Sequence, residues 1–479
     1  MFVWNKRGFL SLAILGLLAA APAQAQNGRG QGGDFLRAGP NGDLLNVIVV
    51  LEEDFGPGRG AANQAEAARI ARSLGVSPSR AWGHALFGFA ASVPQGRLEA
   101  LRNDPRVAYV EIDELNGIPT PPDNAQKPKR CADDPDGPGC GGGGDTESLA
   151  QELPWGIARV GADLNGNTGA GIHVYIIDTG IDVGHEDLTN LDYDNGYAVE
   201  TCVPAKKCAV DWEDDNGHGS HVAGTVGAVD NSVGVIGVAP GVILHAVKVL
   251  DKQGMAFTSE IIDGINWVVT QISGAPVVAN ISIGGSGSKT GTCNSDPDNR
   301  FTGTNAYQQA MCNAAHEGVV FAVAAGNAGN DAQNVRPASY DDTSIAVSAT
   351  GRVVDGSGAV VGDGWPKWSN WGDDAEGWTS NNSAPVAIAA PGMGILSTWK
   401  NGDYNTISGT SMAAPHVAGA IALYLASRAA SVTPEAANYD AFLNARAALL
   451  SGAEPTIDPP FMIKSGNPHD EDFLDAETL

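Results

Sequence analysis

From residue 172 onward the chain alternates short runs that are apolar on both faces with stretches of helical spacing. Ile172 to Ile177, Val242 to Val249, Val277 to Ile283, Val319 to Ala325 and Ser344 to Ala349 read as strands. His218 to Ala228, Thr258 to Ile272 and Asn305 to His316 read as helices, and Met412 to Arg428 as a long apolar one. Strands without a polar face need cover on both sides. The pattern therefore predicts an α/β fold, a parallel sheet with helices on both faces. In such folds active sites gather at the carboxyl ends of strands, where Asp178 and the segment around Asn327 fall.

Upstream the pattern changes. Asn46 to Leu51, Ala85 to Val93 and Val107 to Asp113 read as strands, and Ala61 to Leu74 and Pro94 to Asn103 as helices. With one more strand before residue 85, this is a small α+β unit with a ferredoxin-like order. Residues 26–43 are Gly-rich. A Pro-, Asp- and Gly-rich linker over 116–149 cannot bury a core and is expected to lie exposed. The expected divisions are a signal peptide over 1–25, the small unit over 45–115, the linker, a large unit over 150–430 and an extension over 431–479. The extension ends in an acidic tail, Asp470 to Glu477, with no assigned role.

Composition narrows the class. The length, 479 residues, exceeds one typical domain, and 62 glycines with only 17% charged residues suit a loop-rich globular protein. A net charge of −27 argues against nucleic acid as a partner and leaves room for cations. Lys6 and Arg7, the apolar stretch Phe9 to Ala21 and the small residues Ala23-Gln24-Ala25 form a secretory signal pattern, cut after Ala25. No later segment is apolar enough to span a membrane, so secretion into solution is expected. Six cysteines fall into local pairs, for which Cys131–Cys140, Cys202–Cys208 and Cys293–Cys312 are the natural disulfides.

The chemistry sits in three segments: Asp178-Thr179-Gly180-Ile181, His218-Gly219-Ser220-His221-Val222-Ala223-Gly224-Thr225 and Gly409-Thr410-Ser411-Met412-Ala413-Ala414-Pro415. An aspartate, a histidine and a serine supply an orienter, a general base and a nucleophile for acyl transfer. Ser411 falls at a helix start, where free N–H groups and the dipole favour negative charge. In the order Asp178, His218, Ser411 the segments resemble the subtilisin family of serine proteases. The resemblance implies a secreted serine endopeptidase acting on polypeptides, made as a self-processing zymogen and monomeric. The small unit, with its Val107-Ala108-Tyr109-Val110-Glu111 ending, would be the inhibitory propeptide. The resemblance also makes His218, not His221, the base, and leaves His221 and His416 as structural support.

Other matches to that family carry further roles. Ala324-Ala325-Gly326-Asn327 matches the segment whose Asn side chain holds the oxyanion, with the Ser411 N–H as second donor. Gly254-Met255-Ala256 and Ser282-Ile283-Gly284 match the two strand edges that pair with an extended substrate. Ala256 stands where Gly is frequent and Thr258 where Tyr is frequent, which alters the pocket four residues upstream of the cut. Ser282 to Gly284 and Ala324 to Gly326 bound the first pocket without an acid, so a broad apolar or aromatic preference follows. Structural calcium is implied by Val229-Asp230-Asn231-Ser232-Val233-Gly234-Val235, with the Asn231 side chain and the carbonyls of Val229, Val233 and Val235 as ligands. Asp187 and Gln151 complete the set. The match at Gln151 makes Ala150 one candidate mature start, and a cut between about 117 and 121 the other, by distance from the last propeptide strand. A selective processing protease and a catalytically dead binding module are the alternatives.

Overall fold

In the computed structural model, residues 44–52, 60–119, 150–357, 359–372, 385–431, 435–455, 469 and 471–479 are described. The expected signal peptide and the Cys131–Cys140 pair lie outside them. The N-terminal part runs β1 (Leu44–Leu51), α1 (Gly60–Ser73), β2 (Arg80–Trp82), β3 (Gly88–Pro94), α2 (Leu98–Arg102), β4 (Val107–Ile112) and β5 (Leu115–Gly117). Its antiparallel sheet has the order β2-β3-β1-β4. The strand expected before residue 85 is β2. The helix expected from Pro94 is shorter, because Gln95–Arg97 winds as a 3₁₀ turn before α2.

Alternation along β1 divides its contacts. Val47, Val49 and Leu51 pack on Ala67 and Ile70 of α1 and on Leu98 and Leu101 of α2. Ile48 and Val50 point the other way and join the core of the C-terminal part.

That part begins with α3 (Trp155–Arg159), β6 (His173–Asp178), β7 (Tyr197–Ala198), α4 (His218–Gly227), β8 (Ile243–Lys248), β9 (Met255–Phe257) and α5 (Thr258–Gln271). It continues with β10 (Val277–Ile281), β11 (Gly285–Ser286), β12 (Thr292–Cys293), β13 (Phe301–Thr302), α6 (Ala306–His316), β14 (Val319–Ala324) and β15 (Val335–Arg336). Last come β16 (Ser344–Val354), β17 (Val360–Gly364), β18 (Ile388–Pro391), β19 (Ile395–Trp399), β20 (Asp403–Ile407), α7 (Thr410–Ala429) and α8 (Tyr439–Gly452). The central sheet, in the order β17-β16-β14-β10-β6-β8-β7 with β18 also on β16, is mixed but mostly parallel. Among the described residues, only β17 runs antiparallel in it.

The same period of two decides which helices cover which face. Val174 and Ile176 of β6 and Val320, Ala322 and Ala324 of β14 share a core with α4, α7 and α8. Tyr175, Ile177, Val319, Phe321 and Val323 share the other with α5, α6 and the N-terminal sheet. Helix α7 is buried from Thr410 through Leu423, as expected of a helix apolar all round.

Two carboxylates tie the parts together. Asp113 accepts from Ser259 N and Ser259 Oγ at the start of α5, and Glu111 accepts from Ala306 N at the start of α6. A helix start carries unsatisfied N–H groups and positive potential, so a carboxylate is favourable there. Arg80 pairs with Glu260 and Asp263, Trp82 Nε1 donates to Asp263, and Asn266 Oδ1 accepts from the N–H groups of His84 and Ala85.

The acidic stretch at the end of the chain is packed rather than solvated. Phe473, Leu474 and Ala476 are fully buried among the acids. Ala389 of β18 donates to the Asp472 carbonyl and accepts from Leu474 N, while Phe473 and Glu454 exchange two backbone bonds. The Arg159 guanidinium lies 3.9 Å from the Phe473 ring centre. Cys202–Cys208 and Cys293–Cys312 are disulfides, as expected. Among the described residues no helix is long and apolar enough to cross a membrane.

Phe473→Ala removes a fully buried aromatic ring and should cost about 3–5 kcal/mol of stability. Chemical denaturation of both proteins measures it; coincident midpoints would mean that the 471–479 segment contributes nothing to the fold.

Candidate active site

Asp178 ends β6 and His218 begins α4. His218 Nδ1 lies 2.8 Å from Asp178 Oδ1 and 3.0 Å from Oδ2, and both side chains are buried. Asp178 Oδ1 also accepts from Thr179 N at 2.7 Å. The approach of α4 depends on glycine: a methyl on Gly219 would collide with the Gly180 carbonyl oxygen. Gly180 itself holds φ +104°, where a side chain is strained.

Asp214 and Lys248, which sequence reasoning did not single out, hold this turn together with Thr179 of the Asp178 segment. Asp214 accepts from Asn216 N and Gly217 N at one oxygen and from Ser220 N and Ser220 Oγ at the other, so it secures the start of α4. Thr179 Oγ1 donates to Asp214 and accepts from Gly219 N, tying the Asp178 turn to the His218 helix. Lys248, fully buried on β8, donates to the Thr179 carbonyl at 2.6 Å and pairs with Asp215 at 2.7 Å. The only sequence signal for Asp214 was its place in the acidic run before His218.

Helix α7 starts at Thr410, two residues before the expected Met412, so Ser411 is its second residue. Pro415, inside that helix, has no N–H for the carbonyl four residues back, which is that of Ser411. Ser282 Oγ takes its place, donating to Ser411 O at 2.9 Å while accepting from Asn280 Nδ2. Ser411 Oγ donates to the Ser282 carbonyl at 3.3 Å. His218 Nε2 is buried and, among the described residues, has no hydrogen-bond partner.

Asn327 follows β14. Its Oδ1 accepts from both the N–H and the hydroxyl of Thr410, each at 2.9 Å. With the oxygen so engaged, Nδ2 must face outward, and it donates to the carbonyl of Pro119 at 2.5 Å. The linker was expected to be exposed, yet its first residues are bound. Strand β5 pairs antiparallel with β9, with Asn116 opposite Ala256. Gly117 exchanges two backbone bonds with Gly284, and Ile118 N donates to the Gly254 carbonyl. The segment thus lies between two strand edges, which satisfy its backbone groups whatever its side chains. Pro119 has no N–H to offer the Ser282 carbonyl, which instead receives Ser411 Oγ. Ile283, Ala324 and Ala325 are buried beside this groove, and Gly326 N donates to Thr410 Oγ1.

Five of the six residues named for calcium converge through side-chain or carbonyl oxygen contacts. Asn231 Nδ2 lies 3.0 Å from Asp187 Oδ1, and Val235 N and the Tyr404 hydroxyl donate to Asp187 Oδ2. Gln151 Nε2 reaches the carbonyls of Val229 and Val235 at 3.1 and 3.4 Å. Val233 enters through its N–H, which donates to Asn231 Oδ1. Cys293, Cys312 and His316 also lie together, but the two sulfurs share a bond and offer no thiolate.

His221 and His416 turn away from this chemistry. His221 Nε2 faces the carbonyls of Ile395 and Asn405, and His416 Nδ1 faces that of Met412. Burial pushes the His221 imidazole down to about 3 and that of His416 to about 4. His245, stacked on Tyr175, is pushed down to about 4 for the same reason.

The model of the subtilase family matches residues 169–468 of the chain. The extracellular serine proteinase of Thermus sp. (strain Rt41A) is 34% identical over 399 residues, which are 80% of this chain and 78% of that one. Subtilisin E of Bacillus subtilis (strain 168) is 34% identical over 342 residues, 70% of each. The crystal structure of a cold adapted subtilisin-like serine proteinase, 31% identical, superposes with a TM-score of 0.50 over 67% of this chain and 97% of that chain. The chain therefore belongs to the subtilase family, and it is a subtilisin-like serine endopeptidase.

The three buried imidazoles bear on acid stability. Their folded values lie below the ordinary 6.5, so the native state binds fewer protons than the unfolded chain. Their contribution is complete above about pH 6.5 and is lost as pH falls toward about 4. Denaturant titrations at pH 7.5, 6 and 4.5 should follow this slope, and His221→Gln should flatten it by about one proton. An identical slope in that variant would show that His221 is not excluded from protonation.

Proposed function

We propose that this subtilase is a secreted zymogen that cleaves itself next to Pro119 and then hydrolyses polypeptides through an acyl-enzyme. Ser411 Oγ attacks the scissile carbonyl and passes its proton to His218 Nε2. His218 then gives that proton to the leaving amine, and water releases the acyl group by the same route. Asp178 holds the His218 tautomer and steadies the imidazolium. Asn327 Nδ2 and the Ser411 N–H stabilise the oxyanion.

The observation that carries this reading is the Pro119 carbonyl on Asn327 Nδ2, at the end of a segment paired with both strand edges. Residues 44–119 act as the inhibitor, held by the Asp113 and Glu111 contacts. The first pocket, bounded by Ser282 to Gly284 and Ala324 to Gly326, accepts apolar or aromatic side chains. Pro119, the residue before the proposed cut, is apolar. The signal pattern over residues 1–25 and the two disulfides support secretion.

In a protease-free host, Ser411→Ala should accumulate as uncut protein from residue 26 onward, while the wild type yields a new N-terminus at Thr120. Intact-mass spectrometry distinguishes them. The normal mature species from Ser411→Ala would exclude self-processing.

Structural calcium is part of the same proposal. The donors are hard oxygens: the Asp187 carboxylate, the Gln151 and Asn231 amides, and the carbonyls of Val229, Val233 and Val235. The Gln151 and Asn231 amides now direct nitrogen at oxygen acceptors, and a half-turn of each would direct its oxygen into the same cluster. The bound ion supplies stability by mass action and no chemical step. Chelator should lower the melting temperature, and Asp187→Ala should shrink that difference. A melting temperature indifferent to chelator would leave 229–235 as an ordinary turn.

A further inference from the structure

Counting back from Pro119, the fourth residue is Asn116, only 3% exposed. Its amide is fully engaged. Oδ1 accepts from Arg336 Nε at 3.0 Å, and Nδ2 donates to Thr258 Oγ1 at 3.0 Å and to the Glu114 carbonyl at 3.1 Å. Arg336 is a pure donor, so the amide has one orientation here. Arg336 comes from β15, opposite Gly285 of β11, and a methyl on Gly285 would collide with Asn116 Oδ1. Arg336 is itself 8% exposed, and its Nη2 pairs with Glu114 at 2.7 Å.

We infer that this fourth subsite selects an amide side chain and that Arg336 sets the preference. The inference rests on the reading of Leu115 to Pro119 as a peptide lying in the substrate groove. An apolar side chain at the fourth position would strand a buried guanidinium N–H and give up the bond that Thr258 Oγ1 accepts, and a stranded charged donor is costly. A carboxylate satisfies Arg336 but offers no donor to Thr258, whose hydroxyl is turned to the Glu114 carbonyl at 3.1 Å. Asparagine supplies the acceptor and the donor together. The order of preference is therefore Asn, then Asp, then Leu, and the substrates are polypeptides with an amide four residues before the cut. Sites built on hydrogen bonds reject analogues that lack them far more strongly than apolar pockets do.

The test uses the mature enzyme and internally quenched peptides Glu-Leu-Xaa-Gly-Ile-Leu-Thr-Ala, Xaa being Asn, Asp or Leu, with casein hydrolysis as a control. The Asn peptide should exceed the Leu peptide in kcat/KM by about 10- to 100-fold. Arg336→Met should reverse that order, and Thr258→Val should narrow the gap between Asn and Asp. Equal rates on Asn and Leu in the wild type, with casein still cut, would overturn the subsite and leave the protease reading standing. The wild-type series decides this even if Arg336→Met does not fold. No hydrolysis of casein or of any peptide would overturn the protease reading and this subsite with it.

Discussion

A helix with no polar side has to be enclosed, and α7 is such a helix. Its first fourteen residues, Thr410 to Leu423, are all buried. The central sheet covers one side of it and α4 another. Enclosure fixes where the helix begins, and the helix begins at Thr410 and Ser411. The rest of the site is measured from that point. Thr410 turns Asn327, Ser282 occupies the carbonyl that Pro415 leaves open, and α4 carries His218 against the end of β6. Hydrophobic burial thus does the positioning, and a few hydrogen bonds refine it.

Much of the refinement is made by backbone and by small side chains. Gly219 meets Gly180 directly, and Asp214 holds four donors at the head of α4. The N-terminal part uses the same device. Asp113 and Glu111 sit at the starts of α5 and α6 and supply acceptors those helices lack. Burial raises the Glu111 carboxyl to about 7 and also raises that of Asp113, against the lowering effect of the N–H groups they receive. The contact is therefore held by geometry as much as by charge.

The parallel sheet was legible because its strands are apolar on both faces, and five of them appear within a residue or two at their starting ends. Strand β16 runs five residues past the expected Ala349, because Gly351 and Arg352 interrupt the apolar run and the strand continues by pairing with β17. Asp178, His218, Ser411 and Asn327 were legible as local motifs. Asp214 was not, because one buried acid in the run Glu213-Asp214-Asp215 looks like its neighbours until the helix it holds is in place. The course of 116–119 was hidden for a related reason. Backbone pairing across long sequence separation leaves no periodic signature in side chains, and a Pro- and Gly-rich stretch reads as a loop. The packing of Phe473 and Leu474 was masked by the acids around them.

The segment 115–119 is held as an extended strand with its main chain paired on both sides. A polypeptide can occupy that place only after about five consecutive residues leave whatever structure they had. For a folded target, reaching that geometry is a local unfolding event with its own free energy. On the substrate path proposed above, the groove ranks proteins by how readily they open, before any side chain is read. Where opening and reclosing are fast compared with cleavage, digestion reports the equilibrium population of the open form. Stable domains then outlast loose ones of identical local sequence.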